Sequence, residues 1–92
     1  MKIALAGGGA FGEKHLDGLK NIDGVEVTAL VGRRLEPTQA MAEKYGVGFA
    51  TTNYEEMLTR DDVDAVILCT PTQMHADQAI QAMDAGKHVE VE

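Results

Sequence analysis

Short apolar runs alternate with longer amphipathic stretches along the whole chain. Each run has the length of a strand, and the stretches between them place apolar residues three and four positions apart, as helices do. The runs predict five strands, at residues 2–6, 25–31, 47–51 (the weakest), 63–69 and 88–92. The stretches predict a helix through Phe11, Leu16, Leu19 and Ile22, and further helices at residues 36–45, 54–58 and 72–85.

The alternation of strand and helix predicts an α/β fold, because parallel strands are joined by helical crossovers of one hand. The run at 63–69 is the most apolar, which favours a central strand covered on both faces. The last run alternates apolar and charged residues, which indicates an edge strand or a wetter face. We expect a parallel sheet with helices on both faces. The helix at 72–85 is predicted to pack through Ala76, Ala79, Ile80 and Met83.

The composition of the chain argues against some classes of binding partner. Eight basic against fifteen acidic side chains give a net charge of -7, which opposes binding to nucleic acid or to an anionic membrane. A single cysteine, Cys69, excludes an internal disulfide or a zinc cluster and suits a reducing compartment. We therefore expect a cytoplasmic protein, without a membrane span or a secretion signal.

The strongest motif is the glycine pattern Gly7, Gly9 and Gly12, which follows a predicted strand and opens a predicted helix. In that context the pattern indicates a dinucleotide-binding, Rossmann-like fold, for which we expect the strand order 3-2-1-4-5. Gly7 permits the tight turn, Gly9 lets the backbone approach a diphosphate, and Gly12 lets the helix pack on the sheet, while Ala10 and Phe11 complete the turn at the helix N-terminus. The alternative is a glycine-rich turn that binds nothing.

A basic pair follows the second predicted strand, where many dinucleotide folds place an acid for the adenosine ribose. Here the residues are Gly32, Arg33 and Arg34. Glycine leaves room for a 2′-phosphate, and guanidiniums offer it charge-assisted hydrogen bonds. The sequence thus favours NADP over NAD as cofactor. The alternative is an arginine pair on a solvated loop.

The third candidate segment follows the central strand and contains Cys69, Thr70, Pro71 and His75. Ligands of open α/β sheets bind outside the carboxyl ends of the strands, so these residues are predicted to border the cofactor. Thr70, Pro71 and Gln73 also form a possible capping box for the helix that follows. His75 has an equal alternative as a capping or packing residue, and Cys69 is better explained as a small buried residue than as a nucleophile.

No metal site is predicted. The helix that carries His15 brings no cysteine or carboxylate pair to ligand spacing, so a structural role is favoured for this histidine. Asp61, Asp62 and Asp64 lie in the turn before a strand, where a solvated loop explains them.

Together these motifs resemble the N-terminal half of the Gfo/Idh/MocA oxidoreductases. The resemblance covers the glycine turn with His15, the segment from Val63 to His75, and the closing residues 85–92. It implies a dehydrogenase whose segment after Glu92 continues to a lysine that assists proton transfer beside the nicotinamide. The catalytic residues therefore stay unknown, and residues 1–92 are expected to be an NADP-binding domain that lacks its C-terminal substrate domain.

A closer similarity within the family covers residues 11–26 and 61–75. It implies hydride transfer to NADP from a hydroxyl or a cyclic hemiacetal, in aromatic catabolism. Two alternatives stay open: a sugar or inositol dehydrogenase of the same family, and a non-catalytic NADP-binding or sensing module. We expect a small-molecule substrate held by the further domain, a homo-oligomer, and no turnover by residues 1–92 alone.

Overall fold

The computed structural model describes residues 1–7, 9–69 and 72–91, and leaves out the side chains of residues 9–12, 72 and 73. Strands and helices alternate along the described residues, as the apolar runs predict. The strands are β1 (Lys2–Ala6), β2 (Glu26–Val31), β3 (Ala50–Thr51), β4 (Ala65–Leu68) and β5 (His88–Val91). The helices are α1 (Gly9–Leu19), α2 (Leu35–Tyr45), α3 (Tyr54–Leu58) and α4 (Thr72–Asp84).

All five strands form one parallel sheet in the order β3-β2-β1-β4-β5, which confirms the predicted order. β1 is central, and its last residue, Ala6, lies opposite Val31 of β2 and Leu68 of β4. The connection through α1 leads to one side of β1, whereas β4 lies on the other side. The switch point of the sheet is therefore between β1 and β4.

Helices cover both faces of the sheet, as predicted. Ile3 and Leu5 of β1 face a core that includes Leu16 of α1 and Ala42 of α2. Ala4 and Ala6, the alternate residues, face a second core that includes Met57 of α3 and Ala82 of α4. β4 divides in the same way, which explains why β4 is apolar at every position and β1 at every position after Lys2.

β3 and β4 are shorter than the apolar runs that predict them. β4 begins at Ala65 although Val63 is buried. Asp64 joins the start of β1, since its amide donates to the Lys2 carbonyl at 2.7 Å and its carboxylate accepts from the Lys2 amide at 2.9 Å. β3 comprises Ala50 and Thr51 only. β5 pairs with β4 alone and is largely exposed, which confirms the predicted edge strand.

The predicted stripe of α4 is wrong by one position. Ile80 and Met83 are 53% and 58% exposed, whereas Ala82 is fully buried. The inward side consists of His75, Gln78, Ala79 and Ala82. The Tyr54 hydroxyl, on α3, donates to the Gln78 carbonyl at 2.7 Å and so draws this side of α4 inward. The small Ala82 permits the close approach that the larger Ile80 and Met83 would prevent.

One other apolar position differs from expectation: Ile22 lies beyond the end of α1 and is 51% exposed. The buried residues of α2 are Thr38 and Ala42. The capping box at Thr70 lies outside the described residues. No helix in the described part of the chain is long and apolar enough to cross a membrane.

Candidate functional site

Three of the predicted segments meet at the carboxyl edge of the sheet. The Gly7 amide donates to the Val31 carbonyl at 2.8 Å, and the Cys69 amide donates to the Ala6 carbonyl at 2.7 Å. Gly32, the residue after β2, donates to the Thr51 carbonyl at 3.0 Å. The strand ladder therefore brings the starts of the glycine turn, the arginine pair and the Cys69 segment side by side at the switch point.

Gly7 makes the turn from β1 toward α1. Its φ of 107° lies in the region that favours glycine. Its amide is already used within the sheet, so any anion at this turn has to be bound by amides further along. Gly9 begins α1. The side chains of Ala10 and Phe11, and the packing of Gly9 and Gly12, lie outside the described residues, so their roles stay predictions.

The two helices that start next to the switch point have no acid in their first turns. α1 and α4 both lack one, whereas α2 begins with Glu36 and α3 with Glu55 and Glu56. An acid near a helix N-terminus stabilises the helix by compensating its dipole. In a chain with fifteen acidic residues, α1 and α4 keep the positive ends of their dipoles uncompensated by acids, which suits an anionic ligand.

Gly32 is explained by packing rather than by room for a phosphate. A Cβ on Gly32 would lie 2.0 Å from Thr38 Oγ1. Thr38 is buried and its hydroxyl donates to the Arg34 carbonyl at 2.6 Å, which secures the first turn of α2. The space beside Gly32 in this direction is therefore occupied by Thr38, a contact that the sequence pattern did not reveal.

Arg33 and Arg34 form the link between β2 and α2. Both are exposed, and Arg34 has an extended backbone, with φ -131° and ψ 133°, at the N-cap of α2. Within the part of the chain that the structure describes, neither guanidinium forms an ion pair. The two cations thus stand next to the switch point with their charges uncompensated by acids.

Cys69 and His75 lie near the same edge but on different faces of the sheet. Cys69 is half-buried and packs with the core beneath α1 and α2. His75 is half-buried on the inward side of α4, which covers the opposite face. Each has an interaction with another group, so neither is a free side chain. Thr70, Pro71 and Glu92 lie outside the described residues.

The acidic cluster at residues 61–64 has structural partners. Arg60 donates twice to the Asp62 carboxylate, at 2.8 and 2.9 Å, and the pKa of Asp62 is lowered by these hydrogen bonds. The Asp62 carbonyl accepts from the Thr28 hydroxyl at 2.5 Å. Among the described residues, no group of histidine, cysteine and acidic side chains is arranged to hold a metal ion.

A polar network that sequence reasoning missed joins α1 to α2. Lys44 Nζ lies 2.6 Å from Glu13 Oε2, and the Tyr45 hydroxyl donates to Asp17 Oδ1 at 2.8 Å. The same hydroxyl lies 3.2 Å from Glu13 Oε2. We call Glu13, Asp17, Lys44 and Tyr45 the polar clamp. Its one sequence signal is that both acids lie on the same side of α1, four residues apart.

The clamp residues stabilise each other's charge states. Hydrogen bonding and charge from Lys44 lower the pKa of Glu13, and the hydrogen bond from Tyr45 lowers the pKa of Asp17. In turn, Glu13 raises the pKa of Lys44 and Asp17 raises the pKa of Tyr45. At neutral pH the acids and Lys44 are therefore charged, and the Tyr45 hydroxyl keeps the proton that it donates.

Comparison with known proteins agrees with the fold and the site. The model of the Gfo/Idh/MocA oxidoreductase family, NAD-binding Rossmann fold, matches residues 1–92. The chain belongs to this family. A member from Sphingobium sp. (strain NBRC 103272 / SYK-6), 4-carboxy-2-hydroxymuconate-6-semialdehyde dehydrogenase, is 66% identical over all 92 residues. The chain spans 29% of the length of that relative.

Solved structures of the Gfo/Idh/MocA type differ in the nucleotide that they contain. A 3-ketoreductase from Actinomadura kijaniata, in complex with TDP-benzene and NADP, is 33% identical with a TM-score of 0.92, over 99% of this chain and 28% of its own. A scyllo-inositol dehydrogenase from Lactobacillus casei, with bound NAD(H) and scyllo-inositol, is 26% identical with a TM-score of 0.92, over 99% and 27%. The chain is thus a Rossmann domain of an NAD(P)-binding type, and these likenesses leave the choice of nucleotide open.

Proposed function

We propose that this Rossmann domain binds NADP and serves a dehydrogenase. The observation that carries the proposal is the uncompensated pair Arg33 and Arg34, which lies at the same sheet edge as the acid-free N-terminus of α1. A diphosphate and a 2′-phosphate are both anionic, and in a chain of net charge -7 these are two places where anions meet a favourable local field.

The described residues fit a dinucleotide. The N-terminus of α1 would face the diphosphate, since helix amides and dipole favour an anion there. The guanidiniums of Arg33 and Arg34 would hold the 2′-phosphate. Cys69, Thr70, Pro71, His75 and Glu92 are proposed to border the cofactor, with His75 toward its ribose or nicotinamide side. When bound, the nicotinamide ring supplies the hydride chemistry, and the protein binds, orients and excludes water.

For the whole protein we propose the oxidation of 4-carboxy-2-hydroxymuconate-6-semialdehyde. The support is the 66% identity to the dehydrogenase of that name. The substrate would react as its cyclic hemiacetal and yield 2-pyrone-4,6-dicarboxylate, with the hydride going to NADP. A further domain would hold this small molecule, and we propose a cytoplasmic homo-oligomer that binds neither nucleic acid nor membrane.

Replacement of Arg33 and Arg34 by Ala, singly and together, tests the nucleotide. Each charge-assisted contact to the 2′-phosphate contributes about 1.5–3 kcal/mol, so NADP should bind at least about tenfold more weakly in each single variant. NAD lacks that phosphate and should bind almost unchanged. The measurement is isothermal titration of each nucleotide into each variant.

NAD serves as the internal control, because it tests the same diphosphate site in the same preparation. Arg33→Lys and Arg34→Lys keep the charge but lose the forked geometry, so they should retain part of the NADP affinity. Equal losses for NADP and NAD would reject the 2′-phosphate assignment, as would a wild-type chain with no preference for NADP.

A further inference from the structure

The described side chains of α1, at residues 13–19, make few apolar contacts with the sheet. Among them Leu16 is buried, His15 and Leu19 are half-buried, and Lys14, Asp17 and Gly18 are exposed. Apolar contacts are not directional, so those of Leu16 and Leu19 leave the direction of this part of the helix to be set by polar contacts.

The polar clamp supplies that direction. Its bonds run from two successive turns of α1, at Glu13 and Asp17, to the last two residues of α2, Lys44 and Tyr45. Hydrogen bonds at 2.6 and 2.8 Å have narrow limits of distance and angle, and those to charged groups are the stronger kind. Two contacts one turn apart fix both the position of α1 along its axis and its tilt relative to α2.

The same two helices carry the two anion-binding ends of the candidate site. α1 begins at the glycine turn, and α2 begins directly after Arg33 and Arg34. A change in the angle between the helices would change the distance between these ends. A ligand that carries both a diphosphate and a 2′-phosphate needs that distance to be correct, whereas a ligand that carries one of these groups does not.

Accordingly, we propose that Glu13, Asp17, Lys44 and Tyr45 are positioning residues for nucleotide selectivity: the contacts from α2 to α1 hold the diphosphate end and the arginine end at the spacing of NADP. This inference rests on the proposed function. The clamp touches no part of the nucleotide and acts through the placement of α1.

Lys44 has a second effect through charge. Glu13 lies about one turn from the start of α1 and carries a negative charge that would repel a diphosphate at that end. Lys44, 2.6 Å from the Glu13 carboxylate, neutralises much of this repulsion. Loss of Lys44 should therefore weaken every diphosphate ligand, while loss of the Tyr45 hydroxyl should affect spacing alone.

The test is Tyr45→Phe, which keeps the ring and removes both hydrogen bonds of the hydroxyl. We expect the Kd for NADP to rise by about three- to tenfold, because the diphosphate end and the arginine end are no longer held at the spacing of the two phosphate groups of NADP. The Kd for NAD and for 2′-AMP, which each use one end, should change less than about twofold. Titration calorimetry measures all three ligands, and thermal melting followed by circular dichroism reports whether the variant folds.

Tyr54→Phe is the matched control, since it removes a tyrosine hydroxyl that joins α3 to α4 on the other face. It should leave the ratio of NADP to NAD affinity unchanged. If Tyr45→Phe does not fold, Asp17→Asn removes the charge of the acceptor while keeping its shape, and the same ratio is measured. Lys44→Gln should weaken both nucleotides, because the charge of Glu13 is no longer neutralised, and should weaken NADP more than NAD, because a contact of the polar clamp is also lost.

The outcomes separate this inference from the proposed function. If the ratio of NADP to NAD affinity in folded Tyr45→Phe equals that of the wild type, the clamp's role is overturned and the NADP assignment stays intact. Equal losses of NADP and NAD in Tyr45→Phe would also overturn it. A wild-type chain without a preference for NADP would overturn both.

Discussion

Gly32 shows how a single residue can have a different purpose from the one its motif suggests. At the end of the second strand, a glycine beside two arginines is typical of a site that admits a phosphate. In the structure the Thr38 hydroxyl occupies the space that a Cβ on Gly32 would need, since its Oγ1 would lie 2.0 Å from that Cβ. The glycine is therefore required for α2 to begin where it does, and that start places Arg33 and Arg34.

Gly32→Ala should destabilise the protein by about 1–3 kcal/mol, because the methyl group overlaps Thr38 and forces the first turn of α2 outward. Urea unfolding gives the free energy. Thr38→Ala in the same chain removes the hydroxyl and should restore part of the loss. Gly18→Ala is the control: nothing lies within 4 Å of its added Cβ, so stability should rise by about 0.5–1 kcal/mol. If Gly32→Ala left the free energy of unfolding unchanged, the packing explanation would be wrong.

At the scale of elements, α4 shows the limit of reading a helix from its apolar residues. Positions 76, 79, 80 and 83 have helical spacing and are all apolar, whereas positions 75 and 78 of the inward set 75, 78, 79 and 82 are polar. The bond from Tyr54 to Gln78 and the small Ala82 decide the rotation. Both depend on α3, which a periodicity argument within α4 cannot include.

Opposite substitutions on α4 test this rotation. Ile80→Ala removes three side-chain carbons from an exposed position and should change the free energy of unfolding by less than about 0.5 kcal/mol. Ala82→Leu adds volume where exposure is zero and should cost about 1–3 kcal/mol. Urea unfolding at low protein concentration measures both. If Ile80→Ala lowered the free energy of unfolding more than Ala82→Leu, Ile80 would face the core, as the sequence pattern predicts.

At the scale of the whole molecule, one side carries both an open strand edge and exposed apolar residues. β5 lies at the end of the sheet and has pairing groups free along its outer edge, within the described residues. Ile80 and Met83 on α4 and Val91 on β5 are each about half exposed, at 53%, 58% and 47%. Open edges and apolar patches of this kind favour association with other chains.

We expect the 92-residue chain to self-associate as its concentration rises, since this side offers both strand pairing and apolar contact. Static light scattering across a concentration series measures the mass. Ile80→Lys with Met83→Lys should shift the chain toward monomer, whereas Ile22→Lys, a change at an equally exposed isoleucine beyond α1, should not. A wild-type chain that stays monomeric at high concentration would reject this expectation.

The sequence by itself determined the class of fold and the location of the glycine turn, because these depend on local periodicity and on rules of chain connection that hold for any parallel sheet. The order of the strands followed from the Rossmann-like fold that the glycine pattern indicates. The alternating charge of the last strand indicated an edge position or a wetter face, and the structure shows the edge position. Only the tertiary structure decided the rotation of α4, the reason for Gly32 and the contact between Glu13 and Lys44. Each of these joins residues from different elements, and their relative placement follows from side-chain volumes and hydrogen-bond geometry that come together only when the helices pack on the sheet.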